Sequence, residues 1–250
     1  METTGLADPT PILHALIADP DLSSRLGFAG VTTLIDAVNG LSTLNARAES
    51  ARQIALADRL VIAKSDLLPA LEREQGLAML RRALWELNPS APILDGAAAE
   101  FSPAEFLAEP IARSVVDPDA HSGHGHGVRT FVFRSAEPID RHAFAQFLSL
   151  IASMLGPRLL RLKGLVAIAD RPDEPILVEG VQHVFHAPRS LVGWPDADHA
   201  TRIVIIVEGV AARDVENLWA ALTRSPRIDA PDLAALTDNP LAPRAQGLLG

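Results

Sequence analysis

Three short apolar runs constrain the fold of the N-terminal part: VTTLID (31–36), RLVIAK (59–64) and APIL (91–94). Residues 44–57 and 71–87 lie between them, contain no proline and repeat apolar side chains at helical spacing. Strands that are apolar on both faces must be covered on both. Separated by helices, they predict a parallel sheet with helices packed on it, an α/β architecture. Ligands of such sheets bind beyond the carboxyl ends of the strands. The acids and the lysine that close these runs are therefore where chemistry is expected.

The pattern changes at DPDAHSGHGHG (117–127), which is too polar and glycine-rich for a core. It marks a domain boundary. The bridge before it (95–119) carries one short predicted helix, with Ser102 and Glu105 as a capping box. Beyond it, VRTFVFR (128–134) alternates as a strand, and further strands are expected over 162–169, 176–185 and 202–207. Asp140 is placed to cap a helix carrying Phe144, Phe147, Leu148, Ile151 and Leu155 on one face. Val215, Leu218, Trp219 and Leu222 mark one face of a last helix. Strands in direct succession pair antiparallel, so this part reads as a small α+β domain. From residue 223 onward Pro, Ala and Asp dominate, the composition of a disordered tail. The expected layout is 1–95, a linker over 96–127, a second domain over 128–222 and a tail over 223–250.

Composition removes several function classes. A net charge of −9 without a Lys/Arg cluster excludes a phosphate-binding nucleic-acid surface. The absence of cysteine excludes disulfides and thiolate metal ligands. No apolar run reaches membrane-spanning length and no signal segment is recognised, so a soluble cytoplasmic protein is expected.

Three stretches carry candidate site residues. In AKSD (63–66), the Asp66 carboxylate can accept from N1–H and the exocyclic amine of guanine, a pairing adenine cannot offer. The Lys64 stem can lie along the base. Alone, a strand ending in Lys-x-Asp is more often a loop start with solvated charges. In ETTGLADP (2–9), Glu2 and Gly5 are candidates for a place beside a γ-phosphate and its metal, Gly5 allowing close backbone approach. The alternative is a surface turn of Thr, Gly, Asp and Pro. A strand, a helix and a second strand separate the two segments, an order that can bring both to neighbouring strand ends. Third, His121, His124 and His126 fall within six residues of glycine-rich chain, with Asp117 and Asp119 nearby. Imidazole suits Zn²⁺ or another divalent transition metal, and the tract is a candidate metal site rather than only a solvated linker. His183 and His186 flank an apolar strand and read as structural or surface residues, while His14, His142 and His199 join no cluster.

Taken together, ETTGLADP, VTTLIDAVNG, QIALADRLVIAKSDLL, ALWELNPSAPIL, VRTFVFRSAEPIDRHAF, LLRLKGLVAIA and VEGVQHVFHAP resemble the CobW family of P-loop GTPases, in the family's order. The resemblance implies a partial P-loop GTPase domain from the switch II segment onward, followed by a CobW C-terminal domain. It implies GTP and Mg²⁺ as cofactors, with Glu2 and Gly5 at the catalytic segment and Lys64 and Asp66 at the base. It further implies a cobalamin-synthesis-related metal chaperone, its cargo zinc or cobalt and its partner a metal-receiving client protein. Two departures stand out. No GxxxxGK[ST] occurs in the 250 residues, and Ala63 stands where the family usually carries Asn or Thr. A chain resembling the family without its N-terminal third is expected neither to bind nor to hydrolyse GTP usefully by itself. Its incomplete sheet predicts self-association, homo-oligomers or complementation by an N-terminal fragment. The rival reading is a non-enzymatic, His-rich metal-binding or interaction module with a vestigial nucleotide pocket.

Overall fold

The structure, a computed structural model, describes residues 2–5, 7–26, 29–99, 101–102, 104, 122–123 and 127–223. Two short helices open it, α1 (Thr10–Ala18) and α2 (Pro20–Arg25). The expected parallel sheet follows as β1 (Thr32–Asp36), β2 (Arg59–Ala63) and β3 (Ile93–Asp95), in that spatial order. Leu60 and Ile62 of the central strand are buried with Ile54 of α4 (Ala48–Leu56) and with Leu80 and Leu84 of α5 (Arg73–Leu87).

One expected helix is two. The periodic stretch 44–57 breaks at Arg47, which is extended between α3 (Gly40–Ala46) and α4. Both pieces pack into one cluster, Leu41 and Leu44 of α3 lying against it and Ala51, Ile54 and Ala55 of α4 buried in it. Gly40 at the start of α3 lies so close to β1 that a Cβ there would stand 2.9 Å from Ile35 Cγ2. The buried residues of α4 are Ala51, Ile54, Ala55 and Leu56. Neither a glycine nor a proline stands at the break.

The far end of α4 is closed from a distance. The Asn88 side-chain amide donates to the carbonyls of Ile54 (2.8 Å) and Ala57 (2.9 Å), and its Oδ1 accepts from Ser90 Oγ (2.6 Å). Ala57 N also donates to the Ile54 carbonyl, and the fully buried amide supplies the remaining donors at this helix end.

The second part is an antiparallel sheet of order β4–β5–β10–β6–β7–β8, with β9 also on β7. Its strands are β4 (Ser122–Gly123), β5 (Val128–Ser135), β6 (Leu159–Ile168), β7 (Arg171–Val181), β8 (Val184–Phe185), β9 (Arg189–Ser190) and β10 (Thr201–Glu208). The end of the expected linker thus joins the sheet, Ser122 opposite Thr130. The single strand expected over 176–185 is two, divided at Gln182, whose φ of 53° is left-handed. Asp140 caps α6 (Arg141–Leu155) as expected, its carboxylate accepting from Ala143 N at 2.9 Å. Ser102 Oγ accepts from Ala104 N, while Glu105 lies outside the described residues, as does the predicted tail over 224–250.

This sheet has no solvent face at its centre. Phe131, Phe133, Ile203, Ile205 and Val207 pack with α6 and with α7 (Ala212–Thr223). Their neighbours Val128, Val132, Val204 and Ile206 point the other way, into one cluster with Ile54, Leu80, Leu84 and Leu87 of α4 and α5. Period-two alternation therefore divides β5 and β10 between two apolar layers instead of between core and water. Thr130 Oγ1 donates to the Leu87 carbonyl across the same boundary at 2.7 Å.

Candidate functional site

The carboxyl ends of β1, β2 and β3 form one edge. Asp36 closes β1, and its Oδ1 accepts from Val38 N (2.8 Å) and Asn39 N (3.1 Å), folding the chain sharply back. Its Oδ2 accepts from Lys64 Nζ at 2.8 Å. Lys64 sits just past β2 in the left-handed region, φ 62°, uncommon for a residue with a side chain. The lysine ammonium, then the backbone N–H groups of the turn, hold the Asp36 carboxyl below its ordinary range. On the other side, Ser65 Oγ donates to Asp95 Oδ1 of β3 at 2.6 Å. Arg73 Nη2 donates to the carbonyls of Asp66 and Leu68, fixing the loop that presents the exposed Asp66. Lys64 and Asp66 thus stand together on one ordered loop at the carboxyl edge, where a ligand of a parallel sheet binds. An exposed carboxylate acceptor and an alkyl stem beside it fit the base end of a guanine nucleotide.

Glu2 and Gly5 are exposed, and their segment is anchored on α4. Gln53 Nε2 donates to the carbonyls of Gly5 (3.0 Å) and Ala7 (2.9 Å). Among the described residues, no hydrogen bond joins Glu2 or Gly5 to Lys64 or Asp66. His121, His124 and His126 lie outside the described residues. No group of three or more metal-ligating side chains occurs among those described.

A second charged centre, not anticipated from the sequence, lies between the two parts. Asp58, ahead of β2, is buried; its Oδ2 accepts from Val31 N at 2.9 Å. Its Oδ1 accepts from Arg161 Nη2 and, at 3.2 Å, from Lys163 Nζ, both on β6. Glu179 of β7 completes the group, 3.1 Å from Lys163 Nζ and 3.4 Å from Arg161 Nη2. Arg161 and Lys163 are each about as buried as core leucines, at 1% exposure. Burial pushes the Asp58 carboxyl up, but Arg161 and then Lys163 outweigh it and hold it below its ordinary value. Nearby, burial dominates at His186, lowering its pKa and favouring the neutral ring. The sequence signal was two cations two residues apart in an otherwise apolar strand, both on one face.

Helix α4 touches both ends of this arrangement. Gln53 holds the 2–9 segment, while its neighbour Arg52 forms a two-point contact with Glu208 of β10 at 3.0 and 3.1 Å. The C-terminal sheet and the 2–9 segment are gripped by adjacent residues of one helix.

Residues 1–95 match the family model described as the CobW/HypB/UreG nucleotide-binding domain, and residues 128–223 match that of the cobalamin synthesis protein cobW C-terminal domain. The chain is 24% identical over 216 residues to the zinc chaperone YjiA of Escherichia coli, covering 83% of this chain and 65% of that protein. It is 30% identical over 96 residues to the zinc-regulated GTPase metalloprotein activator 1 of Schizosaccharomyces pombe, covering 38% of this chain and 22% of that protein. The crystal structure of the Zn(II)-bound E. coli YjiA GTPase superposes with a TM-score of 0.67 at 22% identity, over 87% of this chain and 68% of that one. The chain therefore spans less than two thirds of the length of the curated relatives it matches. No helix among the described residues is long and apolar enough to cross a membrane.

Proposed function

Because this chain belongs to the CobW family, with the family's two domains in order, we propose that it forms the base-reading and client-facing part of a GTP-dependent metal chaperone. The supporting observation is the Lys64–Asp66 loop ordered at the carboxyl edge of the parallel sheet, with α4 joining that half to the C-terminal sheet. Asp66 reads guanine, Lys64 lines the base, and Glu2 and Gly5 belong to the segment that answers the γ-phosphate and Mg²⁺. Phosphate binding needs backbone N–H groups at a helix N-terminus and a lysine, which no GxxxxGK[ST] supplies in these 250 residues. GTP binding therefore calls for a P-loop fragment to complement that half of the site. When bound, GTP with Mg²⁺ supplies the free energy that gates metal release. Zinc is the favoured cargo, by analogy with the zinc-linked relatives, and His121, His124 and His126 are its proposed landing tract. A cytoplasmic client protein receives it.

Zn²⁺ titration of the full chain, with and without GTP and a separately expressed P-loop fragment, tests this reading. The chaperone reading expects GTP to change zinc affinity once the fragment is present, and Asp66→Ala to abolish the preference for GTP over ATP. Zinc binding indifferent to GTP under every condition would instead establish the non-enzymatic metal-binding module.

A further inference from the structure

His14 and His183, 169 positions apart in sequence, meet in the folded chain. Their ring centroids are 5.1 Å apart at an interplanar angle of 69°. His14 lies on α1 next to Leu13, which is buried against Leu56 and Val181. His183 follows the left-handed Gln182 in the β7–β8 turn, on the exposed rim of the same contact. The Nε2 atom of His14 is buried and has no hydrogen-bond partner among the described residues. A buried imidazole nitrogen without a partner leaves either a donor or a lone pair unsatisfied, at a cost.

We propose that His14 and His183 form a two-imidazole binding site for one divalent transition metal ion, bridging α1 to the β7–β8 turn. Neutral imidazole is the donor that Zn²⁺, Cu²⁺, Ni²⁺ and Co²⁺ favour, whereas Mg²⁺ and Ca²⁺ prefer oxygen. The spacing fits. With a metal–nitrogen bond of about 2.0–2.1 Å and the ring centre about 1.1 Å further on, two imidazoles at a tetrahedral angle have centroids roughly 5.2 Å apart. An ion there gives the orphaned His14 nitrogen its partner, and water completes the shell at the exposed side. Two protein ligands make a weak site, suited to an ion in transit rather than a structural ion. Occupancy would stitch α1, which directly follows the 2–9 segment, to the C-terminal sheet. The site uses none of the histidines at 121, 124 and 126 and does not depend on nucleotide.

The test uses the full chain with His121, His124 and His126 all changed to Ala, removing the competing tract. Zn²⁺ titration by calorimetry and Cu²⁺ binding followed by electron paramagnetic resonance are the readouts. The expected result is one remaining site per chain whose Cu²⁺ spectrum shows two nitrogen ligands. His183→Ala, at an exposed turn that leaves the core intact, should weaken Zn²⁺ binding at least tenfold and leave a single imidazole on Cu²⁺. His14→Ala should do the same. Mg²⁺ should not compete. No site in the triple variant, or a site unaffected by either substitution, overturns the proposal, and the second outcome would mean that other imidazoles hold the ion.

Discussion

Replacing Asp58 by Asn tests how the two halves of this molecule are held together. The buried group contains two cations, Arg161 and Lys163, and two carboxylates, Asp58 and Glu179. The substitution keeps the shape and an oxygen acceptor for Val31 N–H but leaves one positive charge uncompensated between two apolar layers. Breaking a buried pair by removing one partner costs about 3–5 kcal/mol. For a chain of this size that corresponds to a fall in melting temperature on the order of 10 °C. Urea denaturation of both proteins measures the difference directly. Lys163→Met alone should also destabilise, yet the double variant, with charge balance restored, should lose markedly less than the sum of the two. The pH dependence supplies an independent check. The folded Asp58 carboxyl titrates below its unfolded value of about 3.9, so its contribution is complete above that pH and disappears as pH falls through the folded value. The gap between wild type and Asp58→Asn should therefore be constant near neutrality and close in acid. A loss under 1 kcal/mol, or a gap that widens in acid, would refute the view that Asp58 neutralises the interior.

Other consequences follow from the packing. Asn88→Ala should cost about 2–3 kcal/mol, because it takes a buried donor from the carbonyls at the end of α4 and the acceptor from Ser90 Oγ; thermal denaturation measures it. Gly164→Ala should destabilise by about 1–3 kcal/mol or prevent folding, since its Cβ would meet the Arg202 carbonyl at 2.5 Å and Ile203 Cα at 2.9 Å. By contrast, Glu208→Gln should change stability by less than about 1 kcal/mol in the same assay, because the Arg52–Glu208 pair is partly solvated.

The parts of the fold written into local periodicity were legible. The three parallel strands announced themselves as short apolar runs closed by polar groups, and α6 by its apolar spacing and the Asp140 cap. The antiparallel character of the second part followed from strands in direct succession. What escaped were facts about partners distant in sequence. The strand expected over 162–169 spans Leu159–Ile168 and takes in Arg161 with Lys163, yet every residue in it is buried, because Asp58 receives those two cations 103 and 105 positions away. His14 looked isolated for the same reason, its neighbour lying across the domain boundary. The break at Arg47 had no local signal, neither a glycine nor a proline standing there. At the candidate site, the Lys64–Asp66 loop could be found from its place after an apolar run, but the clasp between Lys64 and Asp36 could not.

The double-sided burial of β5 and β10 changes what a domain means in this chain. Two family models meet it as separate pieces, and a protein engineer would be tempted to cut between them. Yet the layer formed by Val128, Val132, Val204 and Ile206 with α4 and α5 belongs to neither piece alone. Severed, each fragment would carry half of an oily seam into water. The boundary visible in the sequence is thus crossed by one continuous apolar layer.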